Sequence, residues 1–541
     1  MDISENTLYN IRTATNAPAW VKNNPYLPLL EKRFFNKPHL VDWSHLPLRV
    51  SRLFLTVEQR YEPISEAEAR TQSIYDLIHD GAFFPNSPVM MNTETSNNVN
   101  LFACHVLAPP ISVSALKVAE EIHDGCGGIG YDLSLQDDPV SLTRYIESQT
   151  ASLNSTRKRK AHSAVTLHVN HPQIKSFIAL GSDLSITHTN IDLDKDFFSR
   201  LISNEPTACN LWKVICSSIT KIGKPAISFS EHKAKRSPNG EPLINNVCGE
   251  SLLRENESAL IGSLNLTRFI IEQQFDKEKF AQAARLVVRC LDNFHDLQQH
   301  ASPIVAARCL ESRKIGVGIM GYADALLMLG IRYGSTEALA IADSFMSILR
   351  DVTTSESEML GSQRGSCASE LLANDGNKIR RNASLMAIAA NGTLSLIANV
   401  SGGIEPIFAY LIRQDVEGKA IYQLQPTLKK LLVDKGCDVD AVILAMQAGI
   451  PVSEISAIDI EIRKTLVTAH DISFIDHITT QATFQKYIDG GISKSINLNH
   501  STTECEIGEA ILYARNTGCV GISLYRDGSM NEQPTQMMEK R

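Results

Sequence analysis

Hydrophobic and polar positions divide the chain into two regimes. Up to about residue 80 the pattern is helical: Glu66-Ala67-Glu68-Ala69-Arg70 runs into Ile74, Leu77 and Ile78, a 3.6-residue period that predicts a helical N-terminal region over 1–80. From residue 81 short apolar runs alternate with helical segments. Residues 101–107 and 163–169 read as buried strands, and 226–230 and 263–266 as further strands. His171-Pro172 opens a helix, since proline is accepted in a first helical turn. Phe280, Ala284, Val287, Leu291 and Phe294 recur at helical spacing. Ser335 caps another helix, with Glu337 in its first turn. Strands alternating with helices predict an α/β fold with parallel strands. No repeat or linker divides the rest, so 81–530 reads as one large domain, with 415–470 as a helical insertion and 531–541 as a tail.

Charge and cysteine usage narrow the function classes. The formal net charge is −8, which gives no overall attraction to nucleic acid or to an anionic membrane. A nucleotide-sized anion would need a local site. The N-terminus lacks a basic segment followed by an apolar run, and no stretch has the apolar length of a membrane span. These features predict a cytoplasmic protein. The 11 cysteines are scattered singly with no CxxC, so neither a disulfide framework nor a metal site is expected.

Chemistry concentrates at Asn245-Asn246-Val247-Cys248-Gly249-Glu250. In an extended loop residues i and i+2 point the same way, so Asn246, Cys248 and Glu250 would converge. An amide, a thiol and a carboxylate at one point can bind a diol, move a proton and perform sulfur chemistry. The same letters also suit an Asx turn with a buried cysteine.

The context resembles one family. The hexapeptide is similar to the Asn-x-Cys-x-Glu finger loop of ribonucleotide reductases and lies between two strand candidates. Other matches follow in the family's order. Asn86-Ser87-Pro88, with Met91-Asn92, resembles its NSPTLMN segment; Leu101-Phe102-Ala103-Cys104 resembles LSAC; Gly127-Gly128-Ile129-Gly130-Tyr131 resembles GGIGYN. Gly318-Ile319-Met320-Gly321 with Ala323-Asp324 resembles GVMGFAD, and Arg381-Asn382-Ala383, Asn391-Gly392-Thr393 and Ser401 to Pro406 resemble RNATLTTIAPTGTIS and SSGIEP. Gln481 to Gln485, Ser493-Lys494 and Ile496-Asn497-Leu498 resemble MQAAFQKYTDNAVSKTINL, and Tyr525-Arg526-Asp527-Gly528-Ser529 closes the set. Single motifs of this length are weak, but their shared order is specific.

The resemblance implies a ten-stranded α/β barrel whose central finger loop carries Cys248 inside, away from solvent. It implies that Cys248 becomes a thiyl radical and removes the ribose 3′ hydrogen, that Glu250 is the general base, that Asn246 holds the sugar hydroxyls, and that Cys104 protonates the leaving hydroxyl and then donates electrons with a second cysteine. Ser87, Ala103, Asn391, Gly392 and Thr393 would bind substrate, with the phosphates at Asn391-Gly392-Thr393. Alone, that tripeptide is an ordinary turn. The wording from Gly521 to Ser529, and around His477 and Gln481, is similar to the adenosylcobalamin-dependent class II. The tyrosine pair of the class with a separate radical subunit is represented only by Tyr525. No Asp-x-His-x-x-Gly cobalamin signature is present, so adenosylcobalamin rests on the resemblance. A ribonucleoside di- or triphosphate substrate, a deoxynucleotide effector and a homodimer are implied in the same way.

The chain departs from the family where the second redox cysteine belongs. The family writes ESCNLGSINL; here Ala259 follows Glu257-Ser258, and the C-terminal cysteine pair is also missing. A disulfide needs two sulfurs with their Cα atoms within about 7 Å. Three explanations stay open: Cys126 as a relocated partner for Cys104, a small external reductant such as formate or a thiol, or a changed reaction or substrate. A catalytically impaired nucleotide-binding paralogue is the remaining alternative. Phe102 and Ala390 replace the family's Ser and Pro near expected substrate contacts. Arg157-Lys158-Arg159-Lys160 could touch nucleotide phosphates, or be a solvated loop.

Overall fold

The computed structural model describes residues 12–13, 17–22, 24–34, 43, 45–93, 100–155, 160–375, 379–416 and 419–529. Ten strands belong to one sheet: β1 (Phe83–Pro85), β2 (Cys104–Val106), β3 (Gly128–Asp132), β4 (Ser163–His168), β5 (Thr187–Leu193), β6 (Ala226–Phe229), β7 (Ser258–Asn265), β8 (Ile315–Met320), β9 (Ser495–Leu498) and β10 (Gly521–Arg526). β2 to β6 are parallel neighbours in chain order. β7 and β8 are parallel to each other, as are β9 and β10. The two groups meet antiparallel at β2–β7 and at β6–β10.

Residues 385–388 complete the ring. Single parallel bridges join Val317 to Met386 and Ile388 to Ile492, supported by Val317 N donating to Leu385 O at 2.7 Å and Ser493 N to Ile388 O at 2.8 Å. The barrel is therefore two five-membered parallel halves running in opposite directions, and β1 is an additional strand laid antiparallel on β7. All eight residues of β7 are buried, as expected of a barrel strand covered on both faces.

The finger is a hairpin inside this ring. Its stem pairs Ile244 with Leu253 and Asn245 with Leu252. Room for it is made by glycines spaced two apart. On β3, Gly128 and Gly130 share a face, and a Cβ on Gly130 would lie 2.2 Å from Asn245 O and one on Gly128 2.9 Å from Val247 Cγ2. On the other side a Cβ on Gly491 would lie 2.0 Å from Gly249 O, and Gly491 N donates to Glu250 O at 2.8 Å. The Gly-x-Gly of β8 does the same for the ring: a Cβ on Gly318 would lie 2.3 Å from Ala387 O.

The N-terminal helices are tied to the barrel by buried charge. Glu58, at the end of the helix Leu46–Glu58, accepts from Arg289 at 2.8 Å, Arg364 at 2.8 Å and Asn293 at 2.9 Å. Beside it on the helix Lys277–His295, Asp292 meets Arg313 at 2.8 Å and Arg381 at 3.3 Å. Burial pushes the Asp292 carboxyl up, but Arg313 and Arg381 outweigh it and hold the pKa at about 2.

Several sequence expectations need correction. The stretch read as helical over 415–470 belongs to a unit that opens with a hairpin, Leu411–Val416 with Lys419–Leu424, before the helices Pro426–Asp434 and Val439–Gln447. The helix placed at His171-Pro172 begins at Ile174, because His171 forms a turn first, its O accepting from Ile174 N at 3.0 Å. The expected tail 531–541 and residues 157–159 of the basic run lie outside the described residues. Among the described residues no helix is long and apolar enough to cross a membrane.

Two outcomes follow from this architecture. Gly130→Ala must displace Asn245 and Asn246, so activity falls by at least tenfold while far-UV circular dichroism is kept and stability drops by about 1–3 kcal/mol, the usual cost of overpacking. For Asp292 the folded pKa is depressed, so its stabilisation is present above the unfolded pKa of about 3.9 and is lost as pH falls toward about 2. Acid unfolding of Asp292→Asn, followed by circular dichroism, should lose that part of its pH dependence.

Candidate active site

The tip of the finger is a turn, not an extended strand. Gly249 N donates to Asn246 O at 3.2 Å, Asn246 N to Ser251 O at 3.1 Å, and Ser251 N to Asn246 Oδ1 at 3.1 Å. Gly249 takes a φ of +77°, which glycine adopts without steric cost. The side chains therefore divide. Asn246 and Glu250 are each 3% exposed, whereas Cys248 is exposed. The expectation of one shared side and a buried thiol is corrected: the Gly249 turn rotates Cys248 toward a cavity within the ring.

That cavity measures about 870 Å³ and is bounded by Ala164, Gly223, Ala226, Ser493, Gly521 and Tyr525, with the finger residues 245–249 on one wall. The volume lies within the range of small-molecule sites. Its walls come from β4, β5, β6, β9 and β10.

Cys104 and Glu250 lie beside the tip. Cys104 is 3% exposed and its Sγ donates to Glu250 Oε1 at 3.4 Å. Burial raises the Cys104 pKa well above the ordinary thiol value, and Glu250 and then Cys248 add to the shift. Burial also raises the Glu250 pKa, against the opposing effects of Asn246 and Cys104. Glu250 Oε2 is buried and has no hydrogen-bond partner. A carboxylate shifted upward with one oxygen uncommitted suits proton exchange with a ligand hydroxyl. The structure thus brings Cys104, Asn246, Cys248 and Glu250 together.

Cys104 stands directly opposite Ala259 in the β2–β7 ladder. Cα atoms so paired are about 4.5–5.5 Å apart, within disulfide range. Cys126 does not take that place: the residue beside Cys104 on β3 is Gly128, and Cys126 lies two residues earlier, in the turn entering the strand, with a φ of +68°. The register does not pair Cys126 with Cys104.

The remaining predicted contacts lie on neighbouring elements of the barrel. Ala103 packs on a small apolar cluster that holds Cys104, Ala259, Ile261 and Ala389. Asn391 follows Ala389 closely; its Oδ1 accepts from Ser263 Oγ at 3.0 Å and its Nδ2 donates to Ile319 O at 3.2 Å. Asn391 thus anchors the turn, and Gly392 and Thr393 begin the helix Gly392–Ala398, with open space around Gly392. Ser87 is the first residue of the helix Ser87–Asn92, capped by Asn86, whose N donates to Ile261 O at 3.0 Å. Phe102 belongs to a different part of the core: its ring packs edge-on against His295 at 4.8 Å and His300 at 5.6 Å. Ala390 is exposed.

Sequence reasoning missed the steric partners of the finger, Gly490 and Gly491, and the purpose of the glycines in residues 127–130. The two-residue spacing of Gly128 and Gly130 was the available signal. Lys494, quoted in the sequence only as part of a motif, is buried next to the cavity wall, donates to Glu405 at 2.9 Å and lies 3.1 Å from His477 Nδ1. Burial, then Lys494, lowers the His477 pKa to about 3, so this histidine is neutral.

Comparison with known proteins supplies the context. A model of the ribonucleotide reductase barrel domain matches residues 195–371 and 369–525. The vitamin B12-dependent ribonucleoside-diphosphate reductase of Thermoplasma acidophilum is 31% identical over 497 residues, covering 83% of this chain and 64% of that protein. The enzyme of the same name from Mycobacterium tuberculosis is 28% identical over 528 residues, covering 90% of this chain and 76% of that one. The chain therefore spans 64% to 76% of the length of these relatives. Among solved structures, an Actinobacillus ureae class Id ribonucleotide reductase alpha subunit superposes with a TM-score of 0.77 at 19% identity, covering 95% of this chain and 99% of that one; at that identity the likeness concerns the fold, the expected ten-stranded barrel. With the family match extending over more than half of its length, this chain belongs to the ribonucleotide reductase barrel-domain family.

Proposed function

We propose that this protein reduces ribonucleotides to 2′-deoxyribonucleotides through a thiyl radical on Cys248, started by adenosylcobalamin and supplied with electrons from outside the chain. The observation that carries this reading is the meeting of Cys104, Asn246, Cys248 and Glu250 around one interior turn. Relatives named as vitamin B12-dependent ribonucleoside-diphosphate reductases support the cofactor, and they favour a diphosphate substrate.

The cavity beside Cys248 supports the reading of a nucleoside-bearing group there, since small residues (Gly223, Ala226, Ser493, Gly521) line its walls together with Tyr525. Adenosylcobalamin, when bound, supplies a carbon radical able to take the hydrogen atom of a thiol. The chain's own residues then do the following. Cys248 as a thiyl takes the ribose 3′ hydrogen and gives it back to C3′ once C2′ has been reduced, which regenerates the thiyl. Glu250 accepts the 3′-hydroxyl proton at its uncommitted Oε2. Cys104 gives its proton to the 2′ hydroxyl, which leaves as water. Asn246 holds the hydroxyls. Ser87, Ala103 and residues 391–393 line the substrate side, with the phosphates toward Gly392 and Thr393.

Replacing the C2′–O bond by C2′–H consumes two electrons and two protons. In a cross-strand cysteine pair those electrons come from closing a disulfide, but Ala259 fills the opposing position. The electrons must then come from a small co-reactant, either a dithiol that becomes a disulfide or formate that becomes carbon dioxide. The same substitution favours a second reading, in which the radical serves a different nucleotide reaction.

One assay separates these readings. Purified protein is incubated with adenosylcobalamin, each ribonucleoside di- or triphosphate, and dithiothreitol or formate, while cob(II)alamin and deoxynucleotide are both followed. Deoxynucleotide formation, abolished in Cys248→Ser, is the expected result. Cofactor cleavage without deoxynucleotide would move the assignment to the second reading, and activity surviving in Cys248→Ser would remove the thiyl altogether. Independently, Ala259→Cys should form a disulfide with Cys104 under mild oxidation, read as the loss of two titratable thiols and as a cross-linked peptide by mass spectrometry.

A further inference from the structure

A second cavity, of about 280 Å³, lies against the base of the finger, where Leu243 and Leu252 of the stem reach its wall. It is near the lower end of small-molecule sites in size. Its lining holds six cationic side chains, Lys235, Arg236, Arg254, Lys314, Arg350 and Arg380, and a single carboxylate, Asp489.

Ion pairs answer only part of this charge. Arg254 and Lys314 share Glu257, at 3.1 and 2.8 Å, and Arg254 also meets Glu311 at 3.0 Å and Glu241 at 3.8 Å. Arg350 is paired with Asp489 at 2.5 Å. Among the described residues, Lys235 and Arg236 have no carboxylate at ion-pair distance. Arg236 is half-buried, and its guanidinium donates only to carbonyls, His232 O at 3.0 Å and Gln485 O at 3.3 Å. Its Nε is buried without a hydrogen-bond partner. Burial lowers the Arg236 pKa, and Asp489, which is not at ion-pair distance, only partly opposes it. Desolvated cations with spare donors are costly unless an anion joins them, and guanidinium groups match phosphate oxygens in geometry.

We propose that this cavity binds a phosphate-bearing small molecule, held by Arg236 and Lys235. The site is separate from the large cavity and from the substrate face, and it does not depend on the radical chemistry. It abuts the finger through Lys314, whose Nζ donates to Leu252 O at 3.1 Å, so an anion there would stiffen the stem that carries Cys248.

Calorimetric titration of the full chain in chloride buffer tests this, with inorganic phosphate, pyrophosphate and adenosine monophosphate as probes. Saturable binding that weakens at least tenfold in both Arg236→Gln and Lys235→Gln is expected. Pyrophosphate binding more tightly than the monophosphate would point to a free phosphate, and the reverse order to a nucleotide. Lys235 is exposed, so Lys235→Gln decides the matter should Arg236→Gln fold poorly. Absence of binding at millimolar probe, or unchanged affinity in Lys235→Gln, overturns the proposal.

Discussion

Everything in this molecule that concerns chemistry depends on a steric allowance: a hairpin can enter the ring only where the wall lacks side chains. Backbone oxygens of the finger lie so near Gly130, Gly490 and Gly491 that a Cβ at any of the three would fall within 2.5 Å of one. Protein interiors are packed to crystal-like density, so such contacts have no slack to share. The finger is thereby clamped between β3 and the segment before β9, and the turn at Gly249 decides which way each functional side chain faces.

The clamp also explains the electrostatics. Asn246 and Glu250 are pressed into the narrow side, where burial raises the acid's pKa and keeps the Cys104 thiol protonated. Cys248 projects to the wide side, where the cavity supplies room. One turn therefore sets Cys248 toward the large cavity and Asn246 and Glu250 into the packed interior.

Much of this was legible in the residues. β4, β6, the helix Lys277–His295 and the Ser335 cap follow from local pattern, because each is long or chemically punctuated. The order of short motifs anticipated the barrel and the meeting of Cys104 with Asn246, Cys248 and Glu250. What escaped depends on tertiary placement. Residues 385–388 join the ring by isolated bridges and show no strand pattern of their own. The hairpin Leu411–Val416 with Lys419–Leu424 sits in a mixed-polarity stretch that reads as readily as helix. The direction of Cys248 hinges on the left-handed backbone of Gly249, and Phe102 is expected near substrate only because it stands where the resembling family has Ser, whereas its ring lies among histidines.

Ala259 facing Cys104 has a kinetic meaning. A pair of thiols is a store: it can be loaded, discharged on one substrate, and refilled after the product has gone, which makes the two half-reactions separable. A lone thiol has no such reserve. Under the proposed reduction, alanine across the ladder means that donor and nucleotide would meet in the barrel together, and turnover would take the form of a ternary encounter.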